Sequence, residues 1–381
     1  MAITFTKDIS QTFLNLAYNN NIVRFSSDYA SPPMRCEITI DTETIIIYPS
    51  PNNTFYYNFL EHIKSRINVD NFKDELIADI FVDGYIYDWT DKVFLNTNVL
   101  FNIYFEDLTN ESTTRDVKWL SAYVQQEDWK KKYPINLNLL QPFCLLPYED
   151  KANNRSYAKY WEGYPFDVSI YCGYTAGDTL ELENLSNLTT CSFDNPFTIT
   201  RLFFSDGDTD TTIDDIITID EGFNDIQITI NSLNYYLTIE KNVETSCGHY
   251  IKFINSLGGW SYWLFDKGNR NRNTKDLGEI NNDYNNLEDT ISQTIQIGKN
   301  SLDVIQTVTG TLTKEQYILV QEIIDSPKIY LFTGQPYSQN SFNDWLEISI
   351  KNNDFRIENA KEELTQATIT FELPQRKTRT L

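Results

Sequence analysis

Asp206-Gly-Asp208-Thr-Asp210 is the densest group of side chains capable of chemistry in this 381-residue chain, with Asp214 and Asp215 close behind. Carboxylates at alternate loop positions can converge their oxygens on a hard cation. Asp206, Asp208 and Asp210 match the first three ligands of a helix–loop–helix calcium loop. The match then stops. Thr211 stands where the sharp turn takes glycine, and Ile217, which offers no oxygen, stands where a bidentate glutamate is required. The loop is a weak calcium candidate, and a solvated turn between strands uses the same residues. His249 lies two residues after Cys247, but no oxyanion-hole motif accompanies the pair. A partly buried structural histidine is expected there. His62 and His249 are the chain's two histidines, which excludes a centre built on two or three His ligands close together. Neither GxxxxGK[ST] nor GxGxxG occurs. No catalytic residue and no cofactor is expected.

Composition narrows the field further. With 31 Lys+Arg against 54 Asp+Glu the formal charge is −23, which argues against direct, sequence-independent nucleic-acid binding. No run of about 18 apolar residues suggests a membrane span. The opening MAITFTKDISQTFLNL lacks a basic segment followed by an apolar one, so no signal peptide is expected. Cys36, Cys144, Cys172, Cys191 and Cys247 are widely spaced without CxxC. They are expected as small buried side chains in a protein made in a reducing compartment.

The elements that must position these groups are mostly strands. Short β-branched and aromatic runs recur between Asn, Asp, Ser and Thr: 36–40, 44–48, 99–105, 225–230, 235–239, 328–332, 345–350 and 367–373. Several alternate strictly. Ile226, Ile228 and Ile230 share one face, as do Leu346, Ile348 and Ile350. The fold class is mainly β, with two or three β-sandwich or barrel-like domains and a few short helices. Apolar spacing predicts one helix over about 55–67 and another over 313–324, where Thr313 and Gln316 form a capping box and Ser326-Pro327 stops it. Segment 267–286, with Asn-Arg-Asn-Arg-Asn, reads as an exposed loop or hinge. Boundaries are placed at 1–130, 131–265 and 266–381. The basic run Arg376-Lys-Thr-Arg379 reads as a solvated end or a docking strand for an acidic neighbour.

The most specific segment is Tyr250-Ile-Lys-Phe-Ile-Asn-Ser-Leu-Gly-Gly-Trp-Ser-Tyr-Trp-Leu-Phe265. It reads as strand, Gly258-Gly259 turn, strand, and its large side chains suit a core or a seam between subunits. Tyr250, Phe253, Trp260, Tyr262, Trp263 and Phe265 are the interface candidates.

This run resembles a Y-L-x-W-x-N-x-x-G-G-x-x-Y-W-x-F pattern of structural tail proteins from tailed phages and prophages of Bacteroidetes hosts. Phe253 replaces the pattern's tryptophan. Two stretches fit the same group: Ala17-Tyr-Asn-Asn-Asn-Ile-Val-Arg-Phe with Pro51-Asn-Asn-Thr-Phe-Tyr-Tyr, and Gln321-Glu-Ile-Ile-Asp-Ser-Pro-Lys-Ile-Tyr-Leu-Phe with Trp345-Leu-Glu-Ile-Ser-Ile. The resemblance implies a virion component at the tail tip or baseplate, similar to distal tail proteins. It also implies a homo-oligomeric ring of six or more copies that contacts other virion tail proteins, without catalysis. Asn at about one residue in ten, with few Gly, suits a low-GC genome. Two other readings fit the composition. A carbohydrate- or receptor-binding module predicts exposed Trp161, Trp260 and Trp263. A carboxylate hydrolase predicts a pocket with two facing acids. Another ring position in the virion, at the neck or near the capsid, shares the physics of the first.

Overall fold

A computed structural model describes residues 2–67, 69–74, 85–125, 137–147, 149–150, 155–173, 178–195, 197–205, 212–243, 248–281, 294–333, 345–351 and 366–379. The chain is mainly β, with several sheets and short helices.

The N-terminal part is a two-sheet sandwich. One sheet has three strands, Ile3–Lys7, Ile22–Ser27 and Phe55–Asn58. The other has five and includes Pro33–Ile40, Glu43–Ile47, Phe94–Phe105 and Asn110–Leu120. Alternation drives it. Cys36, Ile38 and Ile40 face inward on one strand, and Val99, Phe101, Ile103 and Phe105 face inward on its neighbour. Phe25, Phe55, Phe59, Phe101 and Trp119 fill the space between the sheets. Phe25 lies 5.3 Å from Phe55 and 5.1 Å from Phe101, in the offset and edge-on arrangements aromatic rings favour.

The helix expected over 55–67 begins later, at Leu60, and runs to Arg66. Residues 55–58 form a strand instead, because Phe55-Tyr-Tyr pairs with Val23-Arg-Phe25 and buries Phe55. Pairing across the sandwich outweighs the helical spacing. The second helix matches its sequence signature. Lys314–Asp325 starts at Thr313, whose hydroxyl accepts from the Gln316 N–H while the Gln316 side chain accepts from the Thr313 N–H. Thr313→Ala is expected to lower stability by about 1 kcal/mol, measurable as a drop in the urea midpoint.

The rest of the chain stacks three sheets. A four-stranded sheet contains Phe143–Cys144, Phe166–Tyr171, Ile199–Ser205 and Ile86–Asp88. Every residue of Phe166–Tyr171 and Ile199–Ser205 is buried, so both faces of this sheet are covered. Val168, Ile170, Leu202 and Phe204 on one face join the core formed with Leu180, Leu182, Ile226, Ile228 and Ile230 of a six-stranded sheet. The other face meets His249–Ile254 and Trp260–Phe265, the first strands of a seven-stranded sheet. That sheet continues through Ile329–Phe332, Trp345–Ile350, Thr368–Glu372 and Thr294–Val308 to Lys267–Asn281.

The sheet boundaries move two of the expected divisions. Ile86–Asp88 leaves the first segment to pair with Ile199–Ser205, and 249–265 belongs to the C-terminal sheet rather than to the central segment. A turn-rich sequence shows where strands end but not which sheet each one joins.

Candidate functional site

The conspicuous hairpin is an internal hub. Tyr250, Phe253, Trp260, Tyr262, Trp263 and Phe265 are all buried within the single chain. The expectation that they form a seam between subunits is corrected: their own chain already covers them. The turn is longer than a two-residue one. Asn255 anchors it, accepting from the N–H groups of Leu257 and Gly259 and donating to the Leu145 carbonyl and the Ser261 hydroxyl. Gly258 alone of the pair has positive φ, at 84°. Gly259 is needed for a different reason, since a Cβ there would stand 2.3 Å from the Leu145 carbonyl oxygen. Neighbouring segments grip the turn. The Trp89 indole donates to the Gly258 carbonyl at 3.1 Å, and the Tyr123 N–H donates to Ser256.

Beneath this hub lies a buried ionic network. The Arg201 guanidinium bonds both oxygens of Asp167, at 3.1 and 2.7 Å, and reaches Asp74 at 2.6 Å. Lys252 also bonds Asp74, and the Tyr262 hydroxyl donates to Asp167. Trp89 and Trp260 lie within 6.0 Å of the guanidinium, and Trp345 is 4.2 Å from the Lys252 ammonium. Two cations balance two anions, so the charges are paired. Burial pushes the Asp74 carboxyl up, but Arg201 and Lys252 outweigh burial and hold it well below the usual carboxylate range. Burial lowers Lys252 and raises Tyr262. The network links the loop after the first helix to the four- and seven-stranded sheets, which fits a structural clamp. Sequence reasoning missed it. The available signal was a charge inside an apolar strand, as in Ile199-Thr-Arg-Leu-Phe and Tyr250-Ile-Lys-Phe.

The other candidates are dispersed. Asp206, Asp208 and Asp210 lie outside the described residues, as does Cys247. Of the acids that follow them, Asp214 bonds Lys241 and Tyr160, and Asp215 caps the helix Ile213–Ile216 at Thr212. No trio of metal-ligating side chains occurs among the described residues. His249 is half-buried, and a Cβ on Gly268 would lie 2.5 Å from its ring. Burial and Arg270 lower its pKa. His62 lies on the short helix Leu60–Arg66. It is half-buried, with Nε2 3.4 Å from Glu43. Cys36, Cys144 and Cys172 are buried and unbridged, and burial pushes the Cys36 thiol up to about 12.

A polar groove of about 570 Å³ is lined by Lys159, Trp161, Asn242, Trp263, Asp266 and Gln316, among others. Trp161 and Trp263 are only 5% and 4% exposed, and Trp260 is fully buried, so none offers an open stacking face.

The most exposed element is the one read as a loop. Lys267–Asn281 is a 15-residue strand paired with Thr294–Val308, and nearly all of it faces water. Its polarity concealed it, because a ribbon wet on both faces needs no apolar alternation. It is the outer strand of its sheet, with its far edge unpaired among the described residues. At the base of this arm Asp303 is buried and receives three arginines: Arg272 at 2.8 Å, Arg270 at 2.7 Å and Arg376 at 3.0 Å. Their hydrogen bonds, led by Arg272, hold the Asp303 carboxyl well below the usual range.

No protein-family model and no curated protein matches the chain. Among solved structures it is similar to the fibronectin(III)-like modules of Clostridium thermocellum CbhA, at 7% identity and TM-score 0.20 over 63% of this chain and 95% of that one. A Ca2+-stabilised adhesin of an Antarctic bacterium that binds ice follows at 11% identity and TM-score 0.18, over 82% and 70%. Domains 4–9 of the surface layer protein SbsC match at 8% and 0.18, over 98% and 43%. Similarity at this level carries no functional argument. No described helix is long and apolar enough to cross a membrane.

Proposed function

We propose that the chain is a non-catalytic structural subunit of a phage tail, at the tail tip or baseplate, that assembles with copies of itself into a ring and joins other tail proteins. The carrying observation is the arm. Its outer half, 275–281 paired with 294–300, buries no residue, and a two-stranded ribbon so open to water is marginal by itself and gains stability when a partner covers it. A second outer strand, Glu43–Ile47, carries the exposed side chain of Ile46 and is followed by the exposed Tyr48. Ring assembly covers such edges, which otherwise template uncontrolled pairing. The placement in a tail rests on the sequence resemblance. Negative-stain images of the purified full chain should show closed rings. Single particles or open aggregates at every concentration would count against the reading.

A further inference from the structure

We propose that the basic outer strand of the arm, Lys267–Asn281, pairs edge to edge with the outer strand Thr189–Asn195 of a second copy of this chain, beside the acidic face that Asp194 shares with Glu181 and Glu183 of the neighbouring strand Asp178–Asn184. The inference rests on the assembly reading and names the surfaces that would carry it.

The arm is positively charged on a negatively charged molecule. Its two strands and segment 374–379 hold eight basic and three acidic side chains, net +5, which leaves the rest of the chain at −28. The charge is also organised. Three guanidiniums share the single carboxylate of Asp303, leaving two positive charges uncompensated. Arg270, Arg272 and Arg376 remain 55%, 54% and 41% exposed, so Asp303 fixes their geometry without covering them. Guanidiniums held in place bind carboxylates with less loss of side-chain freedom. The backbone of segment 374–379 reinforces the base, with the Arg376 N–H donating to the Ser301 carbonyl.

The complementary surface lies in the six-stranded sheet. Thr189–Asn195 is its outer strand, paired on one side only among the described residues. Register places Glu181 opposite Ser192 and Glu183 opposite Thr190, so both glutamates and Asp194 share one face. Glu181 and Asp194 are exposed, and Glu183 is half-buried. A strand added at that edge would gain backbone hydrogen bonds, and its arginines would meet these carboxylates. Because the two edges belong to different surfaces, the contact is heterologous. It closes into a ring when the rotation allows, and otherwise runs on as a filament.

The test is self-association of the full chain by sedimentation at low and physiological salt. Arg270→Gln with Arg272→Gln leaves Arg376 on Asp303, and equal thermal midpoints establish that the variant folds. This pair, and separately Glu181→Gln with Glu183→Gln, should each weaken association about tenfold. All four changes together should weaken it little more than either pair, because both pairs remove the same contact. Lys275→Gln with Lys299→Gln, which spares the cluster, should have a smaller effect than either. Unchanged association in the arginine variant, or simple addition of the two effects, overturns the proposal while assembly itself stands. A wild-type chain that stays monomeric at every salt overturns both. Binding of a DNA duplex that requires Arg270 and Arg272, without self-association, would assign the cluster to phosphate and overturn the pairing.

Discussion

Arg201→Met should lower stability by about 3–5 kcal/mol at neutral pH, because it leaves Asp74 and Asp167 buried with one cation and one hydroxyl between them. The stabilisation lies in completing the set. The ions gain little over a well-packed apolar group, but a half-set is strongly unfavourable. The shift is read from urea unfolding against Lys328→Ala. Lys328 pairs with the exposed Glu347, and its loss should change stability by less than about 1 kcal/mol. The pH dependence has a definite sign. The folded pKa of Asp74 lies below its unfolded value, so its contribution is full above about pH 4 and is lost as pH falls toward the folded value. In the variant Asp74 loses one of the two cations that hold it ionised, so the gap between variant and wild type should narrow in acid. A gap that widened in acid, or a variant as stable as wild type, would contradict the clamp.

Removing residues 269–286 should abolish assembly while leaving the core folded. The deleted strand contributes almost nothing buried, since nearly every residue of Lys267–Asn281 is exposed. The strand beneath it stays anchored, as Val304–Val308 pair with Thr368–Glu372. Loss of the arm also leaves Arg376 on Asp303, so no buried carboxylate is orphaned. The apparent mass should fall to that of a single chain while the thermal midpoint stays close to wild type. Assembly that survives the deletion would show that the arm is not a contact. A collapse of the midpoint would show that it is part of the core.

Much of the fold was legible in the sequence because half-buried strands carry their own signature. Ile226, Ile228 and Ile230 announced a face, and the structure buries that face. Thr313 and Gln316 announced a helix start in the same way. What stayed hidden depended on partners. Phe55-Tyr-Tyr could serve a helix or a strand, and only pairing with Val23-Arg-Phe25 decides it. The apolar hairpin was evident, but apolarity does not say whether the chain's own sheets or a neighbour will cover it. Asp74, Asp167, Arg201 and Lys252 were indistinguishable by residue type among 85 charged side chains. The arm was hidden by the opposite effect: Asn269-Arg-Asn-Arg-Asn273 alternates with period two, but with two polar residue types, so no apolar stripe marks it.

Light-scattering mass of the purified full chain tests the central claim most directly. The account expects a defined multiple of the chain mass, six or more copies, that dissociates as salt rises, since charge complementarity contributes to the contact. A single-chain mass at low salt and high concentration would contradict it.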